Sequence, residues 1–105
     1  MNVRSYNIFM QGYNFNDLLS IEKLLSCMKD LTRLKLLTSL LSGAKCVCEL
    51  AKLCEISQSL TSHQLKVLKE AKLVKSQKRG QHRFYSLIDS HVELILKLAY
   101  EHIKE

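Results

Sequence analysis

The hydrophobic period of this chain changes twice, and that limits it to few architectures. Between Asp17 and Ala71 apolar residues recur at three- and four-residue intervals. From Leu73 to Leu87 they alternate about Gly80, and from Ser90 the helical interval returns. A stretch of period two does not suit a helix face, and a two-strand stretch centred on a glycine is a hairpin. The expected fold class is therefore mainly α with one β-hairpin. The chain has 105 residues and no proline, and no repeat or linker divides it, so one domain is expected. Residues 1–15 lack a clear period and are assigned to an N-terminal arm, with 16–105 as the folded domain.

Polar residues punctuate the helices. Asn16 is the predicted cap of a helix from Asp17 to about Lys29, whose apolar positions Leu18, Ile21, Leu24, Leu25 and Met28 follow helical spacing. Asp30 caps a second, with Leu31, Leu34, Leu37, Leu40 and Leu41 inward and an end near Gly43. A short helix at about 46–53 and a turn at Cys54-Glu55-Ile56 lead to a helix capped by Ser57 and running to about Ala71. Its apolar arc is expected to hold Leu60, Val67, Leu68 and Ala71, with Leu65 at the edge and Thr61 near it. Strands are expected at 73–77 and 83–87 around a turn at 78–81, with a last helix from about Ser90 that carries Val92, Leu94, Ile95, Leu98 and Ala99. The pair of helices around 46–71 has the length and turn of a helix-turn-helix, and the hairpin behind it makes a wing.

Charge points to a partner. The net charge is +6, and from Lys66 to Arg83 there are seven Lys or Arg residues against the single acid Glu70. Such a segment suits a polyanion. A helix entering a major groove needs short hydrogen-bonding side chains for base edges and cations for phosphates. Ser59, Ser62, His63, Gln64 and Lys66 supply these, with Gln58 at the helix start. Arg79, His82 and Arg83 on the hairpin reach phosphates or a minor groove. A polar helix face alone is common to any soluble domain; joined to a basic hairpin it points to double-stranded DNA. With three glycines and no phosphate-cradling loop, an enzyme is not expected. No signal peptide or membrane-length apolar run is read, so a cytoplasmic protein without a membrane partner is expected.

The last helix carries Asp89, His91, His102 and Glu105. The histidines are eleven residues apart, so they share a face but stand roughly 16 Å apart along a helix. Zinc–ligand bonds are about 2 Å, so one helix cannot close one site with both. Two such helices packed antiparallel about a two-fold axis can, with Asp89 and His91 of one chain meeting His102 and Glu105 of the other. Asp89 must then leave helical geometry at the cap to aim with His91. Equally, Asp89 can be a plain cap, with the other three as surface residues. Cys46 and Cys48 are a second pair that suits a soft metal or a thiol chemistry. Cys27 and Cys54 lie elsewhere and suit packing.

Together these residues resemble the ArsR/SmtB family of metal-responsive repressors, from about Leu24 to the end, and most closely its cadmium-, lead- and zinc-sensing branch. Met28 to Leu37 looks like the family's second-helix start, and Lys45 to Ala51 resembles its Cys-x-Cys metal box. Ser57-Gln58-Ser59 and Ser62 to Leu68 resemble its recognition helix. Asp89, His91, His102 and Glu105 match its C-terminal-helix zinc motif at all four positions. The resemblance implies a homodimeric winged helix-turn-helix repressor that binds operator DNA and releases it on binding zinc, or cadmium, lead or another divalent transition metal. That branch completes its thiolate site with arm cysteines, and none precedes Cys27 here. The arsenic sensors add a third cysteine where Ala51 stands, so the C-terminal set is the favoured site. The alternative is a thiol- or reactive-sulfur-sensing repressor of the same fold, using Cys46 and Cys48.

Overall fold

The computed structural model describes residues 12–105. Residues 1–11 of the expected arm lie outside them. Helix α1 spans Phe15–Met28, and its cap is Asn14, not Asn16. Asn14 Oδ1 accepts from the Asp17 amide at 2.8 Å, and Asp17 Oδ2 accepts from the Asn14 amide at 3.1 Å. This reciprocal pair satisfies two orphan amides at once, so the helix starts two residues earlier than a cap at Asn16 predicts. Helix α2 spans Leu31–Ser39 and is capped as expected by Asp30, whose carboxylate takes the Arg33 amide at 3.0 Å. A 3₁₀ turn at Leu40–Ser42 follows, and Gly43, at a φ of 128°, turns the chain away.

Strand β1 is Lys45–Cys46, helix α3 is Val47–Cys54 and helix α4 is Gln58–Glu70. Strands β2 (Val74–Arg79) and β3 (His82–Leu87) form the hairpin, and helix α5 (Ser90–Lys104) closes the chain. The sheet has three strands in the order β1-β3-β2, all antiparallel, because Lys45 and Cys46 pair with Tyr85 and Phe84. Two residues carry no readable period, so only the hairpin was foreseen. Arg79 pairs with His82, which shortens the connecting loop to Gly80-Gln81. Gly80 has a φ of 64°, the left-handed conformation that two-residue hairpin loops demand.

The core gathers Leu36, Leu37, Leu50, Leu65, Leu68, Leu73 and Val74, all essentially without exposure. Two expectations are corrected here. Leu31, at the first position of α2, is 69% exposed, whereas Leu36 of the same helix is fully buried. In α4 the buried positions are Thr61, Leu65 and Leu68, with Leu60 exposed. The spacing of four and three keeps those positions on one stripe, and Thr61 can enter it because its hydroxyl donates to the Ser57 carbonyl at 2.8 Å. Cys54 is buried, its Sγ 3.5 Å from Ser39 Oγ, and Cys27 is half-buried against the same core. Among the described residues no helix is long and apolar enough to cross a membrane.

Candidate nucleic-acid interface and metal-ligating residues

The turn between α3 and α4 is fixed by local chemistry. Glu55 ends α3 in the left-handed conformation, at a φ of 56°, and Ser57 Oγ accepts from the Leu60 amide at 3.0 Å. These two devices set how α4 leaves α3. With Thr61, Leu65 and Leu68 turned inward, Gln58, Ser59, Ser62, His63 and Lys66 are exposed together. This is the polar face read from the sequence. Gln64 departs from it. It is half-buried, and its Oε1 accepts from Arg33 Nη1 at 3.2 Å. The same guanidinium donates through Nε to the Cys27 carbonyl at 2.6 Å. The sequence reading gave Arg33 no role of its own; its two partners lie on other helices, and no local spacing signals them.

The wing comes close to the start of α4. His82 and Arg83 share a groove of about 370 Å³ with Gln58, Gln81, Cys46 and Cys48. Gln58 Nε2 approaches Cys48 Sγ at 3.8 Å. Ser76 Oγ on β2 accepts from Arg83 Nη1 at 3.0 Å and from Lys69 Nζ at 2.8 Å. One hydroxyl therefore draws cations from α4 and β3 to the same edge. Lys69 belongs with this basic cluster although only Lys66 was singled out from α4. Arg79 lies over the Phe84 ring, 5.2 Å from its centroid, which holds its guanidinium at the base of the hairpin loop.

At the start of α5, Asp89 is the N-cap, with extended backbone (φ −165°, ψ −178°). Its Oδ1 accepts from the amides of His91 and Val92 at 2.9 and 3.3 Å. Its Oδ2 faces His91 Nδ1 at 3.5 Å. The carboxylate therefore serves as a cap through one oxygen and lies beside the imidazole through the other. Burial opposes the ionised form of Asp89, but the amides of Val92 and His91 outweigh it, and the carboxyl is held below its usual range. His102 and Glu105 stand exposed at the far end of the same helix. Among the described residues of one chain, no three His, Cys, Asp or Glu side chains converge on a point where an ion would sit.

Cys46 caps α3, and its thiol donates to Glu49 Oε1 at 3.4 Å. The Cys46 amide donates to the same oxygen at 3.2 Å. Glu49 is held below its usual range first by that amide and then by the thiol. Cys48 is exposed. The two thiols thus border the groove with other partners already at hand, and no third soft ligand accompanies them among the described residues.

Comparison with known proteins adds relatives to this geometry. Residues 30–76 match the pattern of the bacterial regulatory proteins of the arsR family. The chain is 38% identical over 80 residues to a transcriptional repressor SmtB homolog of Synechocystis, a match that covers 76% of this chain and 61% of that relative's length. It is 35% identical over 88 residues to a cadmium resistance transcriptional regulatory protein CadC homolog of Staphylococcus aureus, covering 83% of this chain and 73% of the relative. A homodimeric winged helix-turn-helix DNA-binding domain from Mycobacterium bovis superposes with a TM-score of 0.79 at 22% identity, over 84% of this chain and 82% of that one. Its fold is the one described above: helices, a helix-turn-helix and a hairpin wing.

Proposed function

Because this chain belongs to the ArsR family of bacterial regulatory proteins, we propose that it is a metal-responsive transcriptional repressor, a homodimer that grips operator DNA and releases it on binding zinc. Helix α4 enters the major groove through Ser59, Ser62, His63 and Lys66, with Gln58 at its start. The wing contributes Arg79, His82 and Arg83 toward phosphates or the minor groove. Gln64, whose oxygen accepts from Arg33, offers its amide nitrogen as a donor.

The observation that carries the metal reading is the double use of Asp89. Capping consumes Oδ1 and leaves Oδ2 beside His91, so half of a ligand set forms without cost to the helix. The other half, His102 and Glu105, comes from the partner subunit. Two imidazoles and two carboxylates fit zinc, and cadmium, lead or another divalent transition metal competes for the same donors. The bound ion would supply a cross-link between subunits. The apolar face that α5 leaves exposed, with Leu94 and Leu98, suits a second copy of the chain.

Metal and DNA are then two ligands of one dimer, joined by a coupling free energy that is necessarily reciprocal. The test is a titration of the dimer with zinc while it is bound to a duplex selected by the apo protein. Two zinc ions per dimer are expected, with DNA affinity falling by about tenfold or more, within the usual span of such couplings. Zinc binding at full stoichiometry without change in DNA affinity sinks the regulatory reading. A thiol- or reactive-sulfur-sensing role for Cys46 and Cys48 is the second reading. One observation favours it: both thiols border the groove shared by Gln58, His82 and Arg83, so a group added there would stand at the DNA-facing side.

A further inference from the structure

Arg33 occupies a position that its sequence context does not announce. It is the third residue of α2, where Asp30 holds its amide at 3.0 Å. From that anchored backbone its guanidinium donates in two directions. Nε meets the Cys27 carbonyl in the last turn of α1 at 2.6 Å, and Nη1 meets Gln64 Oε1 in the middle of α4 at 3.2 Å. All three residues are half-buried, where a charge-assisted hydrogen bond is less diluted by water. The Cys27 carbonyl is one of the terminal acceptors that a helix cannot satisfy itself. Arg33 therefore ties the end of α1 to the recognition helix through one rigid planar group.

Because Arg33 only donates, the amide of Gln64 has a fixed sense. Its oxygen faces Arg33, and its nitrogen is left to donate elsewhere. On the same helix Ser62, His63 and Lys66 are exposed within two positions, so a shift of Gln64 is a shift of that whole face. We infer that Arg33 is a positioning residue for sequence reading: it orients Gln64 and holds α4 in register against α1, and it sets specificity without touching DNA. This rests on the DNA-binding role of α4. Lysine cannot replace it, because an ammonium lacks the fork that serves two acceptors in fixed directions.

The experiment compares two duplexes, one selected from a random pool by the wild-type dimer and one scrambled, at several salt concentrations. Arg33→Met is expected to weaken binding to the selected duplex about tenfold, the scale of a lost charged hydrogen bond. Binding to the scrambled duplex and the salt slope should hardly move. Gln64→Met should lose a similar amount, and the double variant no more than either alone, because the two residues act as a unit. Arg33→Lys should not rescue the preference. A salt slope reduced by about one would make Arg33 a phosphate contact and overturn the inference. Equal losses on both duplexes with a lower Tm, or additive losses in the double variant, would overturn it too. If Arg33→Met fails to fold, Gln64→Met carries the test, since it leaves the bond to Cys27 in place. Failure of the DNA-binding role has a different signature: the wild-type dimer then selects no sequence at all, and the inference falls with it.

Discussion

Single side chains here hold two duties that substitution can separate. Asp89 caps α5 and lies beside His91. Asparagine caps as well as aspartate but is a poor metal ligand. Asp89→Asn should therefore leave Tm nearly unchanged while weakening zinc binding about tenfold, the lower scale for a disturbed metal set. A thermal melt beside a zinc titration checks both halves, and a large loss of Tm would mean that the charge serves the fold. Glu49 offers a pH test free of metal. Its carboxyl is held below the usual range by the Cys46 amide and thiol, so it stabilises α3 fully above that range. The contribution fades as pH falls through the lowered pKa. Glu49→Gln should flatten the acid limb of the stability curve, measured by denaturant unfolding at a series of pH values. Asp89 was legible in sequence because only a cap lets it aim with a residue two positions on. Arg33 was not, since its partners lie six and thirty-one positions away.

At the level of elements, α4, the proposed recognition helix, depends on its start. Ser57 holds the Leu60 amide, and Ser57→Ala should cost about 1 kcal/mol of stability. Denaturant unfolding measures this. Lys66 lies on the exposed face, and Lys66→Ala should weaken DNA binding and reduce its salt slope by about one if it meets a phosphate. An unchanged slope would remove Lys66 from the backbone contacts. The capped starts of α2, α4 and α5 were readable because an Asp or Ser stands immediately before the helical period. The start of α1 was misplaced because Asn14 and Asn16 are both competent caps, and only the reciprocal bond with Asp17 selects the first. The rotation of α4 was misjudged for a related reason. Leu60 is the more apolar residue, yet Thr61 is buried, since a backbone acceptor within its own helix satisfies the hydroxyl.

The whole molecule presents apolar surface at its ends. Leu19, Ile21 and Leu25 on α1 and Leu94, Leu98 and Ile103 on α5 are exposed in the single chain. Leu98→Glu is expected to shift the dimer toward monomer and to abolish both zinc binding and tight DNA binding, as checked by light scattering with the two titrations. A mixed dimer tests the metal assignment: one chain carries Asp89→Ala and His91→Ala, the other His102→Ala and Glu105→Ala. It should keep one zinc site where each mutant homodimer keeps none. Zinc bound by either homodimer would end the intersubunit assignment. Sequence alone determined the order of helices, the place of the wing and the capped helix starts, because period and capping are local properties of neighbouring residues. It also carried the distance argument that two histidines eleven positions apart cannot meet on one helix. Only the tertiary structure decided that β1 joins the hairpin, that Thr61 rather than Leu60 is buried, and that Arg33 reaches both α1 and α4. Those outcomes depend on which surfaces meet across long chain separations, where competing burial and hydrogen bonding settle what no local pattern encodes.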